Sequence, residues 1–150
     1  MSSAPAVGSP NVRPQPLLCV GDVRRSGDWY RAIFGLVSGH PEPEHPHRKE
    51  YERLLSDGRL VLQLHVADAE HHHGGLVDPD RPLGNGLAVW FEVADFDGVV
   101  ERVRARGARV QTEPHRNPNS SAREIWLRDP DGYLVVAASE PELESGSTGW

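Results

Sequence analysis

The 150-residue sequence predicts an α+β protein of two βαβββ modules whose sheets curl around a cleft. Three observations carry that expectation. The apolar positions change period in the order strand, helix, strands, and do so twice along the chain. Each helical stretch opens at an aspartate and closes at a glycine, Asp22 with Gly35 and Asp95 with Gly107. Tight turns at Ser56-Asp57-Gly58 and Asp129-Pro130-Asp131-Gly132 divide the later apolar runs as hairpins do.

In order, Pro16 to Val20 is a short apolar run suited to a buried strand, followed by a helix in which Trp29 with Ile33 and Tyr30 with Phe34 share a stripe. The proline-rich stretch His40 to His47 reads as a loop. Tyr51 to Leu55 and Arg59 to Val66 form a hairpin. Alternation in its second strand sets Leu60, Leu62, Leu64 and Val66 on one face and Val61, Gln63 and His65 on the other. Ala67 to Asn85, with three consecutive histidines, links the halves. Gly86 to Val93 is a strand with Leu87, Val89, Phe91 and Val93 opposed to Ala88, Trp90 and Glu92. A helix bearing Phe96, Val99, Val100 and Val103 comes next. Arg109 to Gln111 is a short strand, Glu113 to Ser121 a polar loop, and Arg123 to Leu127 and Tyr133 to Ser139 the closing strands. Residues 15–139 are thus expected to form one domain, with halves at about 15–66 and 86–139 and a linker over 67–85. The segments 1–14 and 140–150, rich in small and polar residues, read as flexible tails.

Composition narrows the function. Net charge is −6 with the signs interspersed, so no basic face is available to neutralise phosphates, and a nucleic-acid partner is not expected. No apolar run approaches bilayer length, and the N-terminal stretch lacks the apolar core of a signal peptide, so no membrane partner and a cytoplasmic location are expected. The single cysteine, Cys19, lies in an apolar run and reads as a buried thiol.

Three stretches carry a resemblance to a known family. Leu17 to Leu36 (LLCVGDVRRSGDWYRAIFGL), Gly86 to Val103 (GLAVWFEVADFDGVVERV) and Trp126 to Val136 (WLRDPDGYLVV) resemble, in that order, the opening strand and helix, the second-half strand and helix, and the closing hairpin of the vicinal oxygen chelate superfamily. That superfamily holds glyoxalases, bleomycin resistance proteins and extradiol dioxygenases. The resemblance implies a cleft between curled sheets, a small-molecule ligand or substrate, and a homodimer. It also implies a divalent metal held from four strands, at positions that fall here on Gln15, Gln63, Ala88 and Val136. Ala88 and Val136 have no donor atoms, and divalent ions want carboxylate or imidazole. No cofactor or metal is therefore predicted. Were an ion bound, His65, Glu124, Gln63 and Gln15 would be its ligands, with His71, His72 or His73 reaching back from the linker.

Without a metal, alternation still predicts a pocket. Cys19, Gln63, Trp90, Glu92 and Trp126 are expected to line it as ligand-binding residues, the two indoles stacking on a planar or cationic molecule. His65 and Glu124 are the catalytic candidates, an imidazole and a carboxylate able to work as an acid–base pair. His115, Asn117 and Asn119 fall in a loop able to close over the pocket. Whether the protein is an enzyme stays open at this stage. The leading expectation is a binding protein for a small organic molecule; the alternative is a metal-dependent lyase, isomerase or dioxygenase with an atypical His/Glu site.

Overall fold

A computed structural model describes residues 12–39, 50–67 and 74–141. Within them the first half contributes β1 (Leu17–Val20), α1 (Val23–Phe34), β2 (Val37–Ser38), β3 (Tyr51–Ser56) and β4 (Arg59–Val66). The second contributes β5 (Ala88–Glu92), α2 (Phe96–Arg106), β6 (Arg109–Arg116), β7 (Arg123–Arg128) and β8 (Leu134–Ala138). Two four-stranded sheets result, ordered β1-β4-β3-β2 and β5-β8-β7-β6, so the predicted pair of βαβββ units is the fold observed. In each sheet the first strand of the half runs parallel to the last, β1 with β4 and β5 with β8, and the remaining pairs are antiparallel. A parallel pair requires a long crossover, which each half supplies from its own helix and strands.

The helices begin and end where the sequence marks them. The Asp22 carboxylate accepts from the Arg25 N–H and Asp95 from the Gly98 N–H, each filling one of the vacant donors of a first turn. Gly35 and Gly107 close the helices in the left-handed conformation, both at φ 66°, where a side chain would be strained. Ile33 and Tyr30 of α1 and Val99 and Val103 of α2 are buried against the alternate residues Leu18, Leu62, Leu64, Ile125, Leu127 and Val135. This makes one apolar core through both halves. The helices also meet each other, Arg102 Nε of α2 donating to the Ile33 carbonyl of α1 at 2.9 Å, and Phe34 of α1 packs against Phe91 of β5 with ring centres 4.7 Å apart.

The turn before β8 joins the halves. Asp129 is fully buried and accepts from the Tyr30 hydroxyl at 2.7 Å and from the Tyr133 and Asp131 N–H groups. Asp131 accepts from the Gly21 N–H and the Ser26 hydroxyl, and the Tyr133 hydroxyl donates to the Cys19 carbonyl at 2.7 Å. Burial pushes the Tyr133 phenol up to about 12, so it remains a neutral donor. Residues that read as turn formers therefore also tie β7–β8 to β1–α1.

Two parts of the fold differ from expectation. The two-residue strand β2, paired with Leu54 and Leu55, carries too little pattern to be read. More consequential, the stretch expected to leave the sheet after Gln111 continues as β6 to Arg116, with two register shifts against β7. The polar sequence from Glu113 onward carries no strand pattern; because β6 is an edge strand, Pro114, a residue without an N–H, is tolerated there. The described part of the linker, 74–85, contains turns and no regular strand or helix. His71, His72 and His73, the His40 to His47 stretch and most of both terminal segments lie outside the described residues.

Candidate functional site

The face of the second sheet turned away from α2 carries two rows of side chains across its strands. One row runs His115, Glu124, Ala138 and Glu92; the next runs Thr112, Trp126, Val136 and Trp90. Small residues on β8 thus form a low floor, with an acid and an indole standing on each side of it. Strands two places apart are separated by roughly 10 Å, and the two indoles lean together across that gap over Val136. The Trp90 and Trp126 rings meet edge to face, centroids 6.0 Å apart and planes at 82°. Trp90 is 43% exposed although it lies mid-strand. Beside it opens a cavity of about 320 Å³, walled by Trp90, Glu92, Ser120, Ala122, Ala138 and Ser139.

Glu124 is held from three directions. Only 1% exposed, it accepts from the Asn117 amide at 2.7 Å and the Trp126 indole N–H at 2.9 Å, and its Oε1 lies 3.6 Å from His115 Nε2. Asn117 is itself fixed by the 117–122 turn: its N–H donates to the Ala122 carbonyl, and its side-chain oxygen accepts from the Asn119 N–H. His115 Nδ1 lies 3.0 Å from the Glu113 carbonyl, which can only accept, so the proton is on Nδ1. Nε2 faces the Glu124 carboxylate, so both ring nitrogens point at acceptors.

The corresponding face of the first sheet holds Leu17, Gln63 and Arg53 in one row and Cys19, His65 and Tyr51 in the next. Gln63 is locked at both ends, its oxygen accepting from the Tyr51 hydroxyl and its nitrogen donating to the Gln15 carbonyl at 3.0 Å. Burial raises the Tyr51 phenol and keeps it a donor. His65 is buried, with Nδ1 2.8 Å from the Val66 carbonyl. Burial also pushes the Cys19 thiol up, away from the thiolate.

The expected pairing of His65 with Glu124 is not what the structure brings together. They stand on different sheets, and the imidazole beside Glu124 is that of His115. Trp90, Glu92, Glu124 and Trp126 do share one face; Cys19, Gln63 and His65 share another. His115 and Asn117, expected only as parts of a loop, are the partners alternation alone did not reveal.

Among the described residues no three His, Cys, Asp or Glu side chains are gathered so as to hold a metal ion. Of the four positions implied by the family resemblance, Ala88 and Val136 offer no donor, and the Gln63 oxygen is already committed to Tyr51. These residues do not fit the group.

Comparison with known proteins places this geometry in a family. Residues 13–137 match the Glyoxalase/Bleomycin resistance protein/Dioxygenase superfamily, and the chain belongs to it. It is 26% identical to the anthracycline biosynthesis protein DauV of Streptomyces sp. (strain C5), over 86% of this chain and 50% of that protein. It is likewise 26% identical to lactoylglutathione lyase GLX1 of Arabidopsis thaliana, over 82% of this chain and 43% of that protein. The chain thus spans about half the length of these two curated relatives or less. Among solved structures, TioX from Micromonospora sp. ML1 superposes with a TM-score of 0.65 at 20% identity, over 83% of this chain and 94% of that one.

Proposed function

We propose that this protein binds a small organic molecule, planar and aromatic with a positive charge, on the Trp90–Trp126 face of its second sheet, without a metal at the superfamily's usual position. The single observation that carries the reading is the half-exposed Trp90 standing edge to face with Trp126 beside Glu92 and an open cavity. An indole held out of the core mid-strand is an apolar surface with nothing to gain from water; two indoles beside carboxylates suit a ring and a cation together. The similarity to DauV, an anthracycline biosynthesis protein, supports an anthracycline as the ligand to test. Residues 15–139 form the binding unit, a second copy of the chain completes the pocket with Cys19, Gln63 and His65, and the protein acts in the cytoplasm. Among the described residues no helix is long and apolar enough to cross a membrane.

Titrating the protein with an anthracycline, read by tryptophan fluorescence, tests the proposal. Saturable quenching is expected, weakened about tenfold or more in Trp90→Ala, since an aromatic contact with cation–π character contributes roughly 1–2 kcal/mol. Equal quenching by a matched anionic dye, or no change in Trp90→Ala, would reject it.

The alternative is a metal-dependent lyase, isomerase or dioxygenase centred on His65. One observation favours it: the bond from Nδ1 to the Val66 carbonyl fixes the tautomer that metal-ligating histidines adopt. Metal analysis of protein prepared without a histidine tag decides. Stoichiometric metal in the wild type, lost in His65→Ala, would replace the metal-free reading with this one.

A further inference from the structure

On the opposite side of the β6–β7 edge, two arginines stand as direct neighbours. Arg116 and Arg123 are cross-strand partners and point to the same side. Like charges in that position oppose pairing, so their placement has to be offset locally. Arg123 is fixed by its bond to Asp97 at 2.9 Å and by stacking over Phe96, its guanidinium carbon 4.8 Å from the ring centre. Arg116 donates to the Ser121 carbonyl at 2.7 Å. Between these groups and α2 lies a pocket of about 240 Å³ with Phe96, Val100 and Pro114 as apolar walls. Asp97 is its one acidic wall residue among the described residues.

We propose that this pocket is a second binding site, for a small organic oxyanion whose apolar body rests on Phe96, Val100 and Pro114. Arg123 is already seated on the Phe96 ring and Arg116 on the Ser121 carbonyl, so little side-chain freedom is lost when an anion bridges them. The acid that such a ligand displaces, Asp97, is exposed at the start of α2, where it costs little to release. The volume suits one ring or a short alkyl chain bearing a single phosphate or carboxylate, and not a polymer. The site opens on the helix side of the sheet, with His115 the one wall residue it shares with the Trp90–Trp126 face; its ligand contacts are Arg116, Arg123 and the apolar walls, so it is tested independently of the function proposed above.

Calorimetric titration of the full chain at constant ionic strength, with inorganic phosphate, phenyl phosphate and benzoate, tests it. Saturable binding is expected, with phenyl phosphate tighter than inorganic phosphate because only it reaches the apolar walls. Benzoate bound as tightly as phenyl phosphate would assign the site to carboxylates, and weaker binding to phosphate esters. Arg123→Gln should weaken binding about tenfold or more. Asp97→Asn, an exposed change that leaves the fold intact, should tighten it several-fold by removing the competing carboxylate. No saturable binding at millimolar ligand, or an affinity unmoved or weakened by Asp97→Asn, overturns the proposal.

Discussion

At the scale of single residues, the candidate site depends on how one buried carboxylate is held. Glu124 accepts hydrogen bonds from Asn117 and Trp126, with His115 Nε2 3.6 Å away. Removing a donor from a buried charged acceptor costs about 1–3 kcal/mol, so Asn117→Ala is expected to lower stability by that amount in chemical denaturation. An unchanged midpoint would show that Asn117 does not hold the carboxylate. Much of this face was legible beforehand, because a two-residue period puts Glu124 with Trp126 and Trp90 with Glu92 whatever surrounds them. His115 was not. Two prolines and two asparagines around it speak for a loop in local terms, and only its position at a sheet edge, a long-range fact, makes strand geometry available to that sequence.

At the scale of elements, the helix ends were readable because capping chemistry is local, whereas the buried charges were not. Glu52 of β3 faces the core fully buried and pairs with Arg31 of α1. Nothing in the alternation of Tyr51 to Ser56 marks it as different from a solvent-facing acid. Its room is provided by Gly27, where a β-carbon would lie 2.2 Å from the Glu52 carboxylate. Glycine to alanine inside a helix ordinarily stabilises by about 1 kcal/mol. Here Gly27→Ala is expected to destabilise by more than that, because the carboxylate must move and a buried pair is broken. A rise in melting temperature would contradict the role given to the pair. The β7–β8 turn makes a pH-dependent prediction. Burial, the largest influence, holds the Asp129 carboxyl above its ordinary value of 3.8, outweighing its hydrogen bonds from Tyr30, Tyr133 and Asp131. In the window above 3.8 the folded chain therefore binds more protons than the unfolded one, and stability falls as pH rises through it. Measured against Asp129→Asn, which cannot titrate, the wild type should lose relative stability from about pH 4 upward. Parallel pH profiles for the two would refute this.

For the molecule as a whole, the repeated order of elements is enough to specify the fold class, because two complete sets of strand and helix signals admit few arrangements. How the two halves dock was hidden, since it rests on Tyr30 with Asp129, Tyr133 with Cys19 and Phe34 with Phe91, contacts across long stretches of chain. The proposed dimer belongs to this scale. Light scattering at micromolar concentration should give twice the 16.6 kDa chain mass, and anthracycline binding should weaken on dilution to monomer. A monomer that binds fully would confine the pocket to the second sheet.

Each sheet draws all four of its strands from one half, and this has a consequence for how such a protein changes over generations. A substitution on the open face of one sheet is not transmitted through strand pairing to the other, so the halves are free to diverge separately. The two family ligand positions without donors, Ala88 and Val136, are both in the second half, which is also where Trp90, Trp126, Glu92 and Glu124 stand; Gln15 and Gln63 remain in the first. Two modules that share a topology but no strand pairing thus let one keep a set of positions while the other takes up a different trade.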